Sequence, residues 1–227
     1  MNSDKIILLP GLDGTGLLFK PLLDCIQNTQ DVKVISYPTN ICQDYNQLMD
    51  LVLSQLPNED FILVAESFSG YIAYLIGLKK PKYLKRIVFV ATFLISPRPF
   101  LLGFSRMLPM SLLLNVNIPN FFIKRFLFGQ FVNKETIKLF KKSINEVDSK
   151  VMANRLSLIA DLKAPSKSSS IEATYIQAID DKLIDKNSVE IFKKLFLNLT
   201  IHKIRGTHFL LQSNPSKCIQ IIFNKSA

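Results

Sequence analysis

The 227-residue sequence has few of the residues that cross-link a chain or hold a metal ion. Its three cysteines, at positions 25, 42 and 218, are too few and too scattered for a disulfide framework. No Cys-x-x-Cys pair is present to bind zinc. A chain of this length buries enough surface to fold without either device. The scarcity of cysteine therefore predicts a protein of a reducing compartment, which we expect to be the cytoplasm, with no metal site.

Long hydrophobic segments are also missing. The longest uncharged stretch in the middle of the chain, residues 107–123, contains Pro109, Pro119 and three asparagines, which makes it a poor membrane span. The apolar run near the start is short and follows Asp4, where a signal peptide carries basic residues. We therefore expect a soluble monomer with no stable membrane insertion.

Acidic residues are scarce relative to basic ones. Lysine and arginine number 28 against 18 aspartates and glutamates, which gives a formal charge of +10. Such an excess favours an acidic partner, an anionic substrate or a membrane surface, although it says nothing about the fold. No nucleic-acid-binding motif accompanies the charge, so no nucleic-acid partner is predicted.

Short apolar runs alternate with helix-length segments along most of the chain. We predict strands at residues 5–10, 32–37, 61–66, 86–93, 173–179 and 199–205. The segments between them predict helices at about 17–28, 43–55, 69–80, 186–197 and 213–224. This alternation is typical of an α/β protein with a mostly parallel sheet flanked by helices.

One segment interrupts the alternation. Residues 96–164 are helical in character and rich in phenylalanine, and they cannot be arranged as strand, helix and strand. A helical hairpin packed on the sheet explains this segment, and so does a lid inserted over a functional site. We expect a core made of residues 1–95 and 165–227, with residues 96–164 as a helical lid insertion.

Glycine is scarce, and it is concentrated in one loop. Three of the eight glycines lie in residues 10–16 (PGLDGTG), directly after the first predicted strand. The spacing is not G-x-G-x-x-G, because Phe19 stands at the third glycine position, and no Gly-Lys-Ser/Thr follows. Phosphate binding is therefore disfavoured. A loop whose backbone N–H groups form an oxyanion hole remains.

A serine lies between the third strand and the helix after it, where residues 65–69 read AESFS. A nucleophile elbow is a strained strand-to-helix turn that presents a serine hydroxyl and needs small residues two positions to either side. Ala65 and Ser69 meet that need, whereas centring the motif on Ser69 places Tyr71 at a flank. Ser67 is thus the candidate nucleophile, although a serine in this position is also a common helix N-cap.

The chain has only two histidines, so a base for Ser67 has to be one of them. His202 lies within a predicted strand, and we expect it to be structural. His208 follows the last strand, in a loop where catalytic residues of parallel sheets gather. Asp180 and Asp181 end the preceding strand, and either carboxylate could orient the imidazole.

These motifs, in this order, resemble the α/β-hydrolase family over essentially the whole chain. The resemblance implies a triad of Ser67, Asp181 and His208, with Asp180 as the fallback acid. It also implies that the backbone N–H groups of Leu12 and Phe68 form the oxyanion hole, although Pro10-Gly11 replaces the usual His-Gly. The implied reaction is hydrolysis of a carboxylic ester or thioester through an acyl-enzyme, with no cofactor.

The lid sequence bears on the substrate. Its apolar residues are suited to lining a channel for an acyl chain, and basic residues surround them; the candidate substrate-binding residues are Phe104, Leu113, Phe121, Phe122 and Arg125. An acyl chain carried on acidic acyl carrier protein fits this combination, and the resemblance suggests the methyl ester of pimeloyl-acyl carrier protein in biotin synthesis. The alternatives are an acyltransferase or lyase of the same fold that acts on an anionic small molecule, and a non-catalytic protein that binds a lipid or a partner.

Overall fold

Six parallel strands form the centre of the molecule. The computed structural model describes residues 4–26, 31–97, 123–129 and 132–223, without the side chains of Arg125 and Phe126. The strands within these ranges are β1 (Lys5–Leu9), β2 (Val32–Val34), β3 (Phe61–Glu66), β4 (Leu84–Val90), β5 (Glu172–Ala178) and β6 (Leu199–Ile204). They pair in the order β2-β1-β3-β4-β5-β6, and every pair is parallel. The predicted parallel sheet is confirmed.

Helices cover both faces of this sheet. The α-helices described are α1 (Lys20–Leu23), α2 (Tyr45–Leu53), α3 (Ser69–Lys79), α4 (Lys134–Asn145), α5 (Ser149–Ala160), α6 (Val189–Leu195), α7 (Leu210–Ser213) and α8 (Pro215–Phe223). Short 3-10 helices lie at Leu17–Phe19 and Lys186–Ser188, and a π-helix lies at Ile123–Phe128. No helix in the described ranges is long and apolar enough to cross a membrane.

Two hydrophobic cores result from the alternation of side chains along the strands, because successive residues point to opposite faces. Leu63 of β3 and Phe89 of β4 belong to the core that includes α2, α3 and α6. Val64 and Val88, their neighbours along the chain, belong to the core that includes α1, α7 and α8. The centre of the sheet is therefore buried on both sides, which explains why β1 and β3 are almost wholly apolar.

The strand order places a crevice beside β1. The chain passes from β1 to β2 on one side and then crosses to β3 on the other side, so the connections after β1 and β3 diverge. In open parallel sheets such a switch point opens a crevice at the carboxyl ends of the strands. The glycine-containing loop after β1 and the serine after β3 both lie at that edge.

Two strands, β2 and β4, end three residues before the predicted positions, and local geometry explains both. After β2 the Ile35 N–H still donates to the Leu8 carbonyl of β1 at 3.0 Å, but the Tyr37 N–H donates to the carbonyl of Gly14 at 2.8 Å and the chain leaves the sheet. β4 ends at Val90, because Ala91 has a φ of 44° and turns the chain. Such a conformation does not continue a strand.

Residues between β4 and β5 form the interruption that the sequence predicts. Its described helices are the π-helix, α4 and α5, and an asparagine or aspartate caps each of the last two: Asn133 accepts from the Thr136 N–H, and Asp148 from the Lys150 N–H. Ile137 and Phe140 of α4 pack against Leu18 in the 3-10 helix after β1. This segment therefore lies over the carboxyl edge of β1.

Candidate active site

Ser67 stands at the junction of β3 and α3 in a strained conformation. Its φ is 49°, in the left-handed region that side chains rarely adopt and that costs about 1–3 kcal/mol. The turn is held by hydrogen bonds to the Ser67 carbonyl from the Gly70 N–H, at 3.1 Å, and from the Thr92 hydroxyl. A Cβ atom at Gly70 would lie 1.7 Å from Thr92 Oγ1, so only glycine fits there. The sequence motif therefore forms a tight strand-to-helix turn that includes Ser67.

His208 contacts Ser67 on one side and a carboxylate on the other. Its Nε2 lies 2.8 Å from Ser67 Oγ, and its Nδ1 lies 2.9 Å from Asp181 Oδ2. The second oxygen of Asp181 accepts from the N–H groups of Leu183 at 2.8 Å and Ile184 at 3.0 Å. The structure thus brings together, in hydrogen-bonding order, the three side chains that the sequence singled out.

The electrostatics of this trio favour a protonatable imidazole beside an ionised carboxylate. Burial disfavours the charged form of His208, but the charge of Asp181 and its hydrogen bond outweigh burial, so the pKa of His208 is raised. Burial alone would raise the pKa of Asp181, yet His208 and the two backbone N–H groups hold it below its usual value. A proton taken up at Nε2 would therefore be stabilised at Nδ1 by a fixed negative charge.

The two other residues that the sequence considered lie elsewhere. Asp180 is exposed, and its N–H donates to the Gly206 carbonyl at 2.9 Å, so the carboxylate that contacts His208 is that of Asp181. His202 lies in β6, paired in register with Ile176 of β5. Neither residue is part of the Ser67–His208–Asp181 arrangement.

The loop after β1 lies directly beside Ser67. A Cβ atom at Gly11 would be 3.9 Å from the Ser67 Cβ, so the loop backbone approaches the serine closely. Neither the Leu12 N–H nor the Phe68 N–H has an acceptor within the described part of the chain. Phe68 is the N-cap of α3, where a backbone N–H has no partner in the helix. Both donors are free to bind an oxygen at this position.

A cavity of about 290 Å³ opens above these groups. Four polar side chains line the cavity: those of Asp13, Glu66, Ser67 and His208. The apolar side chains around them come from the loop after β1, the segment between β4 and β5, and the loops after β5 and β6. The apolar lining residues are Leu12, Leu18, Phe93, Pro97, Leu127, Phe140, Ile144, Leu156, Ile159, Leu183, Ile184 and Phe209. Such a cavity suits a small ligand with an apolar portion and one reactive polar group.

Glu66 is a buried carboxyl in this cavity that sequence reasoning did not single out. It is 3% exposed, and its Oε1 has no hydrogen-bond partner in the described structure. Gln212 Nε2 approaches its Oε2 at 3.4 Å. Burial raises the pKa of Glu66 to about 7, although Gln212 and His208 oppose that shift. The signal in the sequence was a charged residue at the end of an otherwise apolar strand.

The five residues predicted to bind substrate all belong to the segment between residues 96 and 164. Phe104, Leu113, Phe121 and Phe122 lie outside the described residues, and so does the side chain of Arg125. Six residues of segment 96–164 do line the cavity, and none of them was predicted to bind substrate; they are Pro97, Leu127, Phe140, Ile144, Leu156 and Ile159.

Comparison with known proteins identifies the fold by structure alone. No protein-family model matches the sequence, and no curated protein matches it. Among solved structures, a lipase-esterase related protein from Clostridium acetobutylicum superposes with a TM-score of 0.77 at 19% identity, over 97% of this chain and 94% of that one. An enol-lactonase from Burkholderia xenovorans gives 0.77 at 12% identity, over 98% and 90% of the two chains. An esterase from Exiguobacterium antarcticum gives 0.77 at 10% identity, over 99% and 94%.

Each superposition covers at least 90% of both chains, so the similarity extends to the whole fold rather than to one motif. They agree with the single parallel sheet flanked by helices that the structure shows. The chain therefore has the α/β-hydrolase fold.

Proposed function

We propose that this protein is a serine hydrolase that cleaves carboxylic esters or thioesters of acyl chains. The observation that carries the proposal is the contact of His208 with Ser67 on one side, at 2.8 Å, and with Asp181 on the other, at 2.9 Å. A strained serine, a buried imidazole and a fixed carboxylate in this order form the arrangement that activates a hydroxyl as a nucleophile.

In the acylation step, Ser67 Oγ attacks the carbonyl carbon while His208 Nε2 takes the hydroxyl proton. The negative charge moves to the carbonyl oxygen, which accepts hydrogen bonds from the Leu12 and Phe68 N–H groups. Removing one such donor typically lowers kcat by about 10²- to 10³-fold. Asp181 stabilises the imidazolium through Nδ1. The tetrahedral intermediate then expels the alcohol or thiol, which takes the proton from His208, and leaves an acyl ester on Ser67.

In the deacylation step, water replaces the departed alcohol or thiol. His208 takes one proton of the water as its oxygen attacks the acyl ester, and the same two N–H groups bind the new oxyanion. Collapse of this second intermediate releases the carboxylic acid, and the proton returns from His208 to Ser67 Oγ. The cycle consumes one water and restores the enzyme, and no step of it requires a cofactor.

The apolar cavity supports an acyl substrate of modest size. Its volume of about 290 Å³ lies at the small end of the range for ligand pockets, about 300–1,000 Å³, which favours short and medium chains. The structural neighbours named as an esterase, a lipase-esterase related protein and an enol-lactonase support ester chemistry on this fold. Residues 96–164 are proposed as the lid over a core of 1–95 and 165–227, since Phe140 and Ile159 line the cavity with Ser67.

A narrower proposal concerns the carrier of the acyl chain. The excess of positive charge supports an acidic acyl carrier protein as donor, with the methyl ester of pimeloyl-acyl carrier protein as the specific candidate. Part of the basic surface of α4 is already neutralised, because Lys138 pairs with Glu135 and Lys142 with Glu146. Because these lysines are paired within the chain, the proposal of an acyl carrier protein needs a test of its own, separate from the test of ester hydrolysis.

The test is hydrolysis of p-nitrophenyl esters from acetate to palmitate by the wild type and Ser67→Ala. We expect an optimum at short or medium chains and no turnover by Ser67→Ala, whose fold is checked by circular dichroism. Turnover that survives the substitution contradicts the proposal. Equal rates on free and carrier-bound methyl esters contradict the narrower proposal alone.

A further inference from the structure

The Leu12 N–H belongs to a tight turn whose geometry fixes its direction. The Gly14 N–H donates to the Gly11 carbonyl at 3.1 Å, which places Leu12 and Asp13 at the centre of a turn. The Gly11 carbonyl and the Leu12 N–H are part of the same trans peptide, so they point in opposite directions. The donor of the proposed oxyanion hole is therefore oriented by whatever holds this turn in place.

Every carbonyl of the turn and its flanks accepts a hydrogen bond. The Pro10 carbonyl accepts from the Ser69 hydroxyl, which also lies 2.5 Å from the Tyr37 hydroxyl. The Gly14 carbonyl accepts from the Tyr37 N–H at 2.8 Å. The two central carbonyls, those of Leu12 and Asp13, both accept from one side chain of the segment between β4 and β5.

That side chain is Arg155 of α5. Its Nη1 donates to the Leu12 carbonyl at 2.9 Å and to the Asp13 carbonyl at 2.6 Å, and its Nη2 donates to the Pro38 carbonyl at 2.9 Å. Arg155 is 2% exposed, and it is among the largest fully buried side chains of the described residues. A Cβ atom at Gly14 would lie 2.5 Å from Nη1, so the turn is shaped around the guanidinium.

The helix that carries Arg155 is itself tied to the core. The Asp148 N–H at its N-cap donates to the Thr39 carbonyl at 2.8 Å, and the Asn154 side chain donates to the Gln43 carbonyl at 2.9 Å. Together with the Arg155 bond to Pro38, these contacts fasten α5 to residues 38–43. Such an attachment suits a rigid support and is unlike the hinged attachment of a moving lid.

We propose that Arg155 is a positioning residue, which holds the Leu12–Asp13 turn so that the Leu12 N–H faces the reacting carbonyl oxygen. This inference rests on the proposed function. It makes α5 a fixed part of the oxyanion hole, so within the proposed lid of residues 96–164 the helix Ser149–Ala160 is a static support. Lysine cannot replace arginine here, because an ammonium group lacks the planar, forked set of N–H donors with which the guanidinium binds three carbonyls.

The test compares Arg155→Lys with Arg86→Lys, a matched control. Arg86 is also a buried arginine that donates to a backbone carbonyl, that of Ile222 at 2.7 Å, but it lies on β4 away from the cavity. Assays are run well below both melting temperatures. We expect kcat of Arg155→Lys to fall at least about tenfold with KM changed less than about twofold, because oxyanion contacts act on the transition state. Arg86→Lys should lose stability only.

Amide hydrogen exchange supplies a readout that does not need turnover. Exchange within residues 10–16 should accelerate in Arg155→Lys and stay at the wild-type rate in Arg86→Lys. Gly14→Ala keeps Arg155 but pushes a methyl group against it, so it should reproduce the kcat loss if Arg155→Lys fails to fold. Unchanged kcat and unchanged exchange in the folded variants overturn the inference. A wild type that hydrolyses no ester overturns the proposed function, while the exchange comparison still decides the role of Arg155.

Discussion

The imidazole of His208 lies between a hydroxyl and a carboxylate, and its protonation state decides whether it can act as a base. Burial works against the imidazolium, but the charge and hydrogen bond of Asp181, together with the charge of Glu66, outweigh burial and raise the pKa of His208. Only the neutral imidazole can take the proton of Ser67, so the same interaction that stabilises the intermediate also restricts the free enzyme at low pH. At the scale of residues, the proposed mechanism therefore makes Asp181 responsible for both the rate and its pH dependence.

We predict that kcat/KM rises with pH through an apparent pKa above 6.5, the ordinary value for histidine. Asp181→Asn should shift this rise in kcat/KM to lower pH, because it removes a charge that raises the pKa of His208. The same substitution should lower kcat by up to about 10⁴-fold. Asp180→Asn is the matched control, since Asp180 is exposed and does not contact His208. A larger loss in Asp180→Asn than in Asp181→Asn refutes the assignment.

Glu66 gives a second pH effect, on stability. Burial raises its pKa in the folded state to about 7, above the ordinary 4.5, so the folded state binds this proton more tightly than the unfolded chain. The stability associated with the proton is complete below pH 4.5 and is lost as the pH rises through 7. Above that pH the folded protein has to keep a buried carboxylate with an unpartnered oxygen.

Glu66→Gln should therefore stabilise the protein relative to the wild type at pH 8 by up to about 3 kcal/mol, and by much less at pH 5. Urea unfolding of the wild type and Glu66→Gln at both pH values measures the difference in their free energies of unfolding. The contributions of the other titrating groups cancel in this difference. Asp180→Asn, at an exposed carboxylate, should show no such change. A difference that is the same at both pH values contradicts the burial argument.

At the scale of elements, the turn between β3 and α3 is strained, and the proposed function uses that strained conformation. Ser67 has a φ of 49°, which a side chain with a Cβ disfavours and glycine tolerates. The buried strand before it and the Thr92 and Gly70 contacts after it hold the turn in place. The surrounding elements offset the strain so that the hydroxyl can face His208.

Ser67→Gly and Ser67→Ala separate this strain from the loss of the hydroxyl. Both variants should be inactive, but Ser67→Gly should be more stable than Ser67→Ala by about 1 kcal/mol, because only glycine relieves the left-handed conformation. Thermal or urea unfolding measures the difference. If Ser67→Ala is the more stable of the two, the turn is not strained.

The elements also show what the sequence could predict. The strands, the Ser67 turn and the order of Ser67, Asp181 and His208 follow from local patterns, and the structure brings those three residues together. Arg155 could not be predicted in this way, because its partners Leu12 and Asp13 lie 143 and 142 residues away and are backbone carbonyls with no side-chain signature. Nothing in the helical pattern of residues 149–160 marks one arginine as buried.

At the scale of the whole molecule, the sheet gathers distant residues at one edge. The loops after β1, β3, β5 and β6 supply Leu12, Ser67, Asp181 and His208, and the chain between β4 and β5 adds the apolar wall and Arg155. Parallel strands place all their carboxyl ends at the same edge, so four loops can build one site. We therefore expect changes at that edge to alter catalysis, and changes at the opposite edge to alter stability.

The central claim is that Ser67 becomes acylated by an ester substrate. Rapid quenching of the wild type with p-nitrophenyl acetate in acid, followed by intact-mass and peptide mass spectrometry, tests it directly. We predict a burst of p-nitrophenol and one acetyl group on the peptide that contains Ser67, with neither in Ser67→Ala. An acetyl group on another residue, or a burst that persists in Ser67→Ala, would contradict the account.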